Sequence, residues 1–240
     1  MGNCNFGGLT LKTILAPVAL ALALTSPVLS ADLVLDDAYP VWAESTAHDW
    51  SGFYAGVVGS YGAAPVASRN TGTDFVSNYT ATGAMLGVTL GANTQYDSFV
   101  LGVEGDLQWA GLKSSSPCAE QPAMTCTGEM NWMGTLRLRG GYALDQALIY
   151  ATGGLAVAGA TMSNTPPNPG ATGTFSSTFV GWTVGAGVEF ALSDTMSVKA
   201  EYAYADLGVR NSPLGALDVA NSYDISPKVH AVKVGVNFRF

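Results

Sequence analysis

The sequence predicts an all-β chain: an eight-stranded antiparallel up-and-down transmembrane β-barrel with four long surface loops and short periplasmic turns. Three observations predict it. The chain opens with a secretory leader. Eight stretches of alternating apolar and polar residues follow, with no helical period. The connections between those stretches are alternately short and long, which is how membrane barrels sort their turns and loops.

The leader comes first. "LKTILAPVALALALTSPVLS" carries one basic residue, Lys12, then an apolar run, then small residues. That order predicts a signal peptide over residues 1–30, cleaved at Ser30 or Ala31. Pro17 and Pro27 interrupt the run, which falls short of the roughly 20 residues of a spanning helix. Cys4 precedes the apolar run, so it is not placed as a lipoprotein cysteine and is lost with the leader. Residues 31–49 are acidic and proline-bearing, without clear period, and read as a periplasmic N-terminal segment. The barrel is expected over 50–240.

Composition narrows the classes. With 29 glycines and 12% charged residues, the chain is not of the charge-rich disordered kind. Ten basic against 18 acidic residues leave no basic face for nucleic acid. Beyond the leader no apolar stretch is long enough for a helical span, so entry into a membrane requires a barrel.

The alternating stretches lie at about 50–62, 81–95, 99–112, 131–143, 147–162, 178–191, 197–208 and 229–240. Three connections are as short as "YDS", "LDQ" and "LSDT"; the others, 63–80, 113–130, 163–177 and 209–228, are long. Aromatics cluster at the short-turn ends (Trp50, Phe53, Tyr96, Phe99, Tyr142, Phe190, Phe238, Phe240). A second group falls at the long-loop ends (Tyr61, Tyr79, Trp109, Trp132, Phe179, Tyr204, Tyr223). Two aromatic belts are expected where a barrel meets both membrane interfaces.

The charges decide which face is which. In "FVLGVEGDLQW", Leu101, Val103, Leu107 and Trp109 share one face, and Glu104, Asp106 and Gln108 the other. The same split sets Arg137, Arg139, Glu189, Lys199, Glu201, Lys233 and Arg239 opposite apolar residues. The apolar face is therefore expected to meet lipid and the charged face the lumen. An eight-stranded barrel is just wide enough for side chains to fill. The nine charges then form either an internal ion-pair network or the lining of a narrow pore, and the small bore favours the network.

Cys118 and Cys126, in "SPCAEQPAMTC", are expected to pair in an exported chain, the alternative being two free thiols. No histidine is near, so no metal site is expected there. The two histidines of the chain, His48 and His230, are far apart in sequence and suggest no metal cluster and no hydrolase. His230, at the long-loop rim, is a weak candidate for haem with Tyr223 or Met162; a plain rim residue is the competing reading. No cofactor is expected.

"WSGFYAGV", "GVEGDL", "LRLRGGYA", "YATGGLA", "GWTVGAGVEFAL", "VKAEYAYADLG" and the ending "HAVKVGVNFRF" resemble the small outer-membrane β-barrel family of alphaproteobacteria. This porin-like and opacity-like group includes the 25 and 31 kDa surface antigens of Brucella and the hemin-binding proteins of Bartonella. The resemblance implies a barrel in the outer membrane of a Gram-negative bacterium, surrounded by lipid and lipopolysaccharide. It implies a structural, non-enzymatic protein exposing loops for envelope integrity, antigenicity or adhesion. The alternatives are a narrow porin-like diffusion channel and the binding of haem or a host surface through the loops. The disulfide loop and the acidic lead-in are not part of the family pattern. Terminal Phe240, with Phe238, resembles the signal that the barrel-assembly machinery reads in outer-membrane proteins.

Deleting Phe240 is accordingly expected to lower surface assembly before it lowers the stability of barrels that do form. Quantitative surface labelling checks this; unchanged surface levels of the truncated chain would remove the assembly role.

Overall fold

The computed structural model describes residues 48–118, 123–166, 173–217 and 221–240. The expected leader, its cleavage at Ser30 or Ala31, and residues 31–47 of the N-terminal segment lie outside the described residues. The strands are β1 Gly52–Asn70, β2 Val76–Tyr96, β3 Phe99–Pro117, β4 Thr125–Leu144, β5 Ala147–Thr165, β6 Gly173–Ala191, β7 Met196–Asp206, β8 Arg210–Ser212 and β9 Tyr223–Arg239. β1 to β7 and β9 pair antiparallel with their neighbours around a ring, and β9 closes it by pairing with β1, from Tyr54↔Arg239 to Asn70↔Tyr223. β8 is a short addition that pairs with β9. Closure satisfies the backbone groups that lipid would leave unpaired.

At the lower rim, β2 meets β3 through Asp97 and Ser98, and β4 meets β5 through Asp145 and Gln146. Asp97 and Asp145 both take φ of 52°, a left-handed conformation that Asp tolerates better than most residues. In the turn from β6 to β7, Ser193 Oγ accepts a hydrogen bond from the Met196 amide at 3.1 Å.

The upper half differs from a rim of free loops. Most of the residues in the long connections are strand. Residues 71–75, 118–124, 166–172 and 207–222 stand between the long strands, the last of these containing β8. β1 alone has 19 residues, roughly 60 Å of chain at about 3.3 Å each. Tilted by about 40°, it rises well beyond an apolar band of about 25 Å.

The reason is an inversion of the pattern. In the lower part of β9 the outward residues Val232, Val234 and Phe238 are exposed, while inward Lys233 and Asn237 are buried. Above Val232 the same strand buries Ile225, Val229 and Ala231 and turns Lys228 and His230 outward. β6 likewise changes its outward residues from Phe190, Val188 and Val184 to Thr178, Ser176 and Thr174. The lower barrel has its apolar side toward lipid; the upper barrel has its apolar side inside, as a soluble barrel does. The switch occurs at an outward girdle of Tyr61, Trp109 and Trp182, with Trp132 and Tyr204 partly exposed.

Four residues expected in the belts are not there. Trp50 and Phe179 are fully buried, and Tyr79 and Tyr223 pack against the interior of the upper barrel. On its strand, each of Tyr79, Phe179 and Tyr223 falls on the inward alternation, so nearness to a strand end did not place it on the outside.

The inversion sets opposite expectations for one substitution type at two heights. Val234→Arg, on the lipid-facing band, should cost about 2–4 kcal/mol. Thr80→Lys, on the outside of the upper barrel, should cost less than about 0.5 kcal/mol. Urea unfolding in phospholipid vesicles reads both; equal costs would place the two positions in the same medium.

Candidate functional site

The site to judge is the lumen, where the chain concentrates its charges. It is filled at three levels.

At the lower mouth sits Trp50, fully buried against Val100, Leu148, Tyr150 and Ala191. Its amide donates to Gln95 Oε1 at 2.8 Å, which fixes the entering chain to β2. Arg239 comes from the end of β9 to hold this stopper: its guanidinium donates to the Asp49 carbonyl, lies over the Trp50 ring, and meets His48 Nε2 at 2.6 Å. Burial and the Arg239 charge keep His48 below the usual histidine pKa, so the neutral ring is the form that accepts this hydrogen bond. A Ser51 amide bond and the Ser51 hydroxyl hold the Asp49 carboxyl below its usual range.

Above the stopper lies a buried ionic cluster. Glu104 receives Arg137 at 2.5 Å, Lys199 at 2.6 Å and the Tyr54 hydroxyl at 2.9 Å. Asp106 receives Lys233 at 3.2 Å, Arg137 at 3.3 Å, and the Thr135 hydroxyl at 2.5 Å. Glu201 pairs with Arg137 and accepts from the Tyr150 hydroxyl at 3.2 Å. Glu189 pairs with Arg139 and takes Ser197 Oγ and, at 2.8 Å, Asn237 Nδ2. The Arg139 guanidinium stacks 3.8 Å from the centre of the Tyr150 ring. Four acids face four bases, all nearly inaccessible, so the cluster is neutral in sum. The pairs also cross the bore: Lys199 of β7 reaches Glu104 of β3, diametrically opposite in the ring. Such desolvated charges are tolerable because each is paired and hydrogen-bonded.

The third level is apolar. Met85, Leu112, Met130, Met133, Met162 and Phe179 are buried together with the small residues of β5, Ala156, Ala158 and Ala160. Methionine fills irregular gaps well, which suits a barrel whose wall is disturbed by register shifts near Trp109, Leu112, Met130 and Trp132.

Of the nine charges singled out in the sequence, eight meet in the cluster. Arg239 does not: it sits half-exposed at the lower mouth, on the Trp50 stopper. Its alternation is inward, but its height is that of the rim. His230 lies on the outside of β9, where its Nδ1 shares a 2.7 Å hydrogen bond with the Tyr202 hydroxyl and its ring lies 5.0 Å from that of Tyr204. Met162 and Tyr223 belong to the interior, so neither stands beside His230 as a second haem ligand. Cys118 and Cys126 form a disulfide that closes the hairpin between β3 and β4. Phe238 and Phe240 are exposed at the lower rim.

Alternation along the strand puts Thr135 on the inward face with Arg137 and Arg139, as found, but the sequence reading missed the other groups that complete the cluster: Tyr54, Tyr150 and Ser197. The glycines facing the two tyrosines carry a signal. A side chain at Gly91 would strike the Tyr54 hydroxyl at 2.3 Å, and one at Gly187 would strike that of Tyr150 at 2.8 Å. Inward glycine across from inward tyrosine marks where the rings enter the bore.

The profile of an outer membrane protein beta-barrel domain matches residues 18–240. The chain is 34% identical to a 31 kDa outer-membrane immunogenic protein of Brucella melitensis, covering 95% of this chain and 99% of that protein. It is 32% identical to a 22 kDa outer membrane protein of Rhizobium leguminosarum, covering 81% and 80%. Among solved structures it is similar to the outer membrane protein OprG of Pseudomonas aeruginosa, with a TM-score of 0.51 at 12% identity over 81% of this chain and 99% of that one. That likeness is one of fold.

The cluster is most sensitive at Arg137, which serves three carboxylates. Arg137→Ala should cost about 3–5 kcal/mol by leaving buried charges uncompensated. Adding Glu201→Gln should recover part of the loss. Urea unfolding in detergent decides it; a single-variant loss below about 1 kcal/mol would mean that water solvates these carboxylates.

Proposed function

Because the chain belongs to the outer membrane protein beta-barrel family and sits in the outer membrane, we propose that it is a closed, non-catalytic scaffold that displays four loops at the cell surface. The observation that carries this reading is the filled lumen. Trp50 blocks the lower mouth, the ionic cluster braces the middle, and the methionine-rich layer occupies the top. A diffusion channel needs a continuous polar path, and the upper layer interrupts one.

The upper barrel supports the display role. It continues the wall above the girdle on paired strands, so the hairpin tips are held at a distance from lipid by hydrogen-bonded β-structure. The Cys118–Cys126 disulfide staples one tip, and the Asn70 side chain braces another by accepting from the Gly72 amide at 2.9 Å. Relatives named outer-membrane immunogenic proteins support the same reading.

Purified protein reconstituted in planar bilayers should show no conductance steps above the lipid baseline between neutral pH and pH 5. Reproducible steps from the wild-type chain would overturn the closed scaffold in favour of a pore.

A further inference from the structure

The chain enters the barrel past one titratable ring. Before β1 begins at Gly52, residues His48 to Ser51 lie at the lower mouth, and four contacts hold them there. The Trp50 ring is fully buried, the Trp50 amide donates to Gln95, the Asp49 carbonyl accepts from Arg239, and His48 Nε2 meets the Arg239 guanidinium at 2.6 Å. Only the last of these can be broken by a proton. A guanidinium donates and never accepts, so Nε2 must offer its lone pair and the ring proton must sit on Nδ1. A second proton on the ring occupies that lone pair. It replaces a hydrogen bond by two like charges in contact.

The surroundings of His48 decide which form of the ring is held. Arg239 of β9 lies against Nε2, and Trp50 meets the ring edge-on with centres 4.8 Å apart. The other charges that act on it are acidic: Asp49 beside it in the chain, Glu189 on β6, and Asp194 in the turn from β6 to β7. The Tyr54 hydroxyl group belongs to a side chain lining the same recess and is committed to Glu104. The acids are committed or distant in effect as well. Asp49 accepts from the Ser51 amide, Glu189 pairs with Arg139, and Asp194 is exposed to water. Burial and Arg239 therefore outweigh the acids, and the docked ring stays neutral.

We propose that His48 is an acid-released latch: at neutral pH it fixes the chain ahead of the barrel to the lower mouth through Arg239, and protonation lets that chain go. The released ring takes its proton at the ordinary pKa of about 6.5, the docked ring only at lower pH. The latch is therefore at full strength above about pH 6.5. Below that it weakens by up to about tenfold per pH unit, until the docked ring also protonates. Trp50 does not leave with His48. Its ring packs against Val100, Leu148, Tyr150 and Ala191, and burial of a large aromatic outweighs one hydrogen bond. Arg239 keeps the Asp49 carbonyl and the face of the Trp50 ring. Acid thus frees the lead without opening the bore. The lead is itself acidic, with Asp32, Asp36, Asp37 and Glu44 and no basic residue over 31–47.

The test is NMR of the full chain refolded in detergent micelles, from pH 8 to pH 4.5, with heat-dependent gel mobility reporting folding separately. The chain has two histidines, so His230→Ala assigns the ring signals. The His48 ring should titrate below 6.5. On the same midpoint the order parameter of the His48 amide should fall from about 0.85 to below about 0.6, while that of Trp50 stays high. His48→Gln, which accepts from Arg239 and does not titrate, should keep the amide rigid throughout. Arg239→Gln should bring the ring midpoint up toward 6.5. A wild-type midpoint at or above 6.5, an amide still rigid at pH 4.5, equal loosening in folded His48→Gln, or an unmoved midpoint in folded Arg239→Gln would each overturn the proposal. None of these outcomes bears on conductance, which tests the closed scaffold independently.

Discussion

The lower barrel depends on the mutual neutralisation of eight ionised groups inside a bore too narrow to hydrate them. Closing eight strands satisfies the backbone in lipid, but closure also traps whatever faces inward. With apolar residues committed to lipid, the inward face must be polar. Charges there are tolerable only as matched pairs, and the four acids and four bases meet that condition. Arg239 would have made the count uneven. Its position at the mouth, bonded to the Asp49 carbonyl, keeps a ninth charge out of the cluster and uses it to hold Trp50 in place.

The girdle divides two solvents. Below it, wall residues alternate apolar-out and polar-in; above it, the same strands reverse. The reversal fixes how deep the barrel sits. Raising it by two residues would take roughly one apolar side chain per strand out of lipid. At about 1.5–3 kcal/mol each, eight strands resist that shift by on the order of 10–20 kcal/mol. The depth therefore does not rely on the aromatic girdle alone.

This division also explains what was legible in the sequence. Lipid imposes strong contrast on the lower barrel, so its strands, its faces and its closing strand could be read from alternation. The upper strands have little contrast: Thr and Ser outside, Ala and Met inside. They also contain Pro65 and Pro227, near-neighbours across the β1–β9 pairing, and proline within a run argues against a strand. They therefore read as loops. Arg239, Tyr79, Phe179 and Tyr223 show the second limit. Alternation with a period of two encodes the face of a residue and not its height. Arg239 was given the right face at the wrong level, and the three aromatics were placed by nearness to a strand end when their faces pointed inward. The cluster's other partners, Tyr54, Tyr150 and Ser197, were hidden for a third reason: they converge from strands far apart in sequence, as with Tyr54 and Glu104, and no local pattern records that.

The end of the pairing between β6 and β7 follows from the same boundary. An open backbone group in hydrocarbon costs several kcal/mol, so a wall in lipid has no freedom to lose a neighbour. β7 keeps its pairing with β6 up to Asp206, opposite Trp182 of the girdle, and leaves it one residue later. Above that level water can satisfy the freed amides and carbonyls, and the constraint lapses. Above the girdle β8, paired with β9, stands where β7 stood, without the hydrogen bonds to β6 that lipid would enforce.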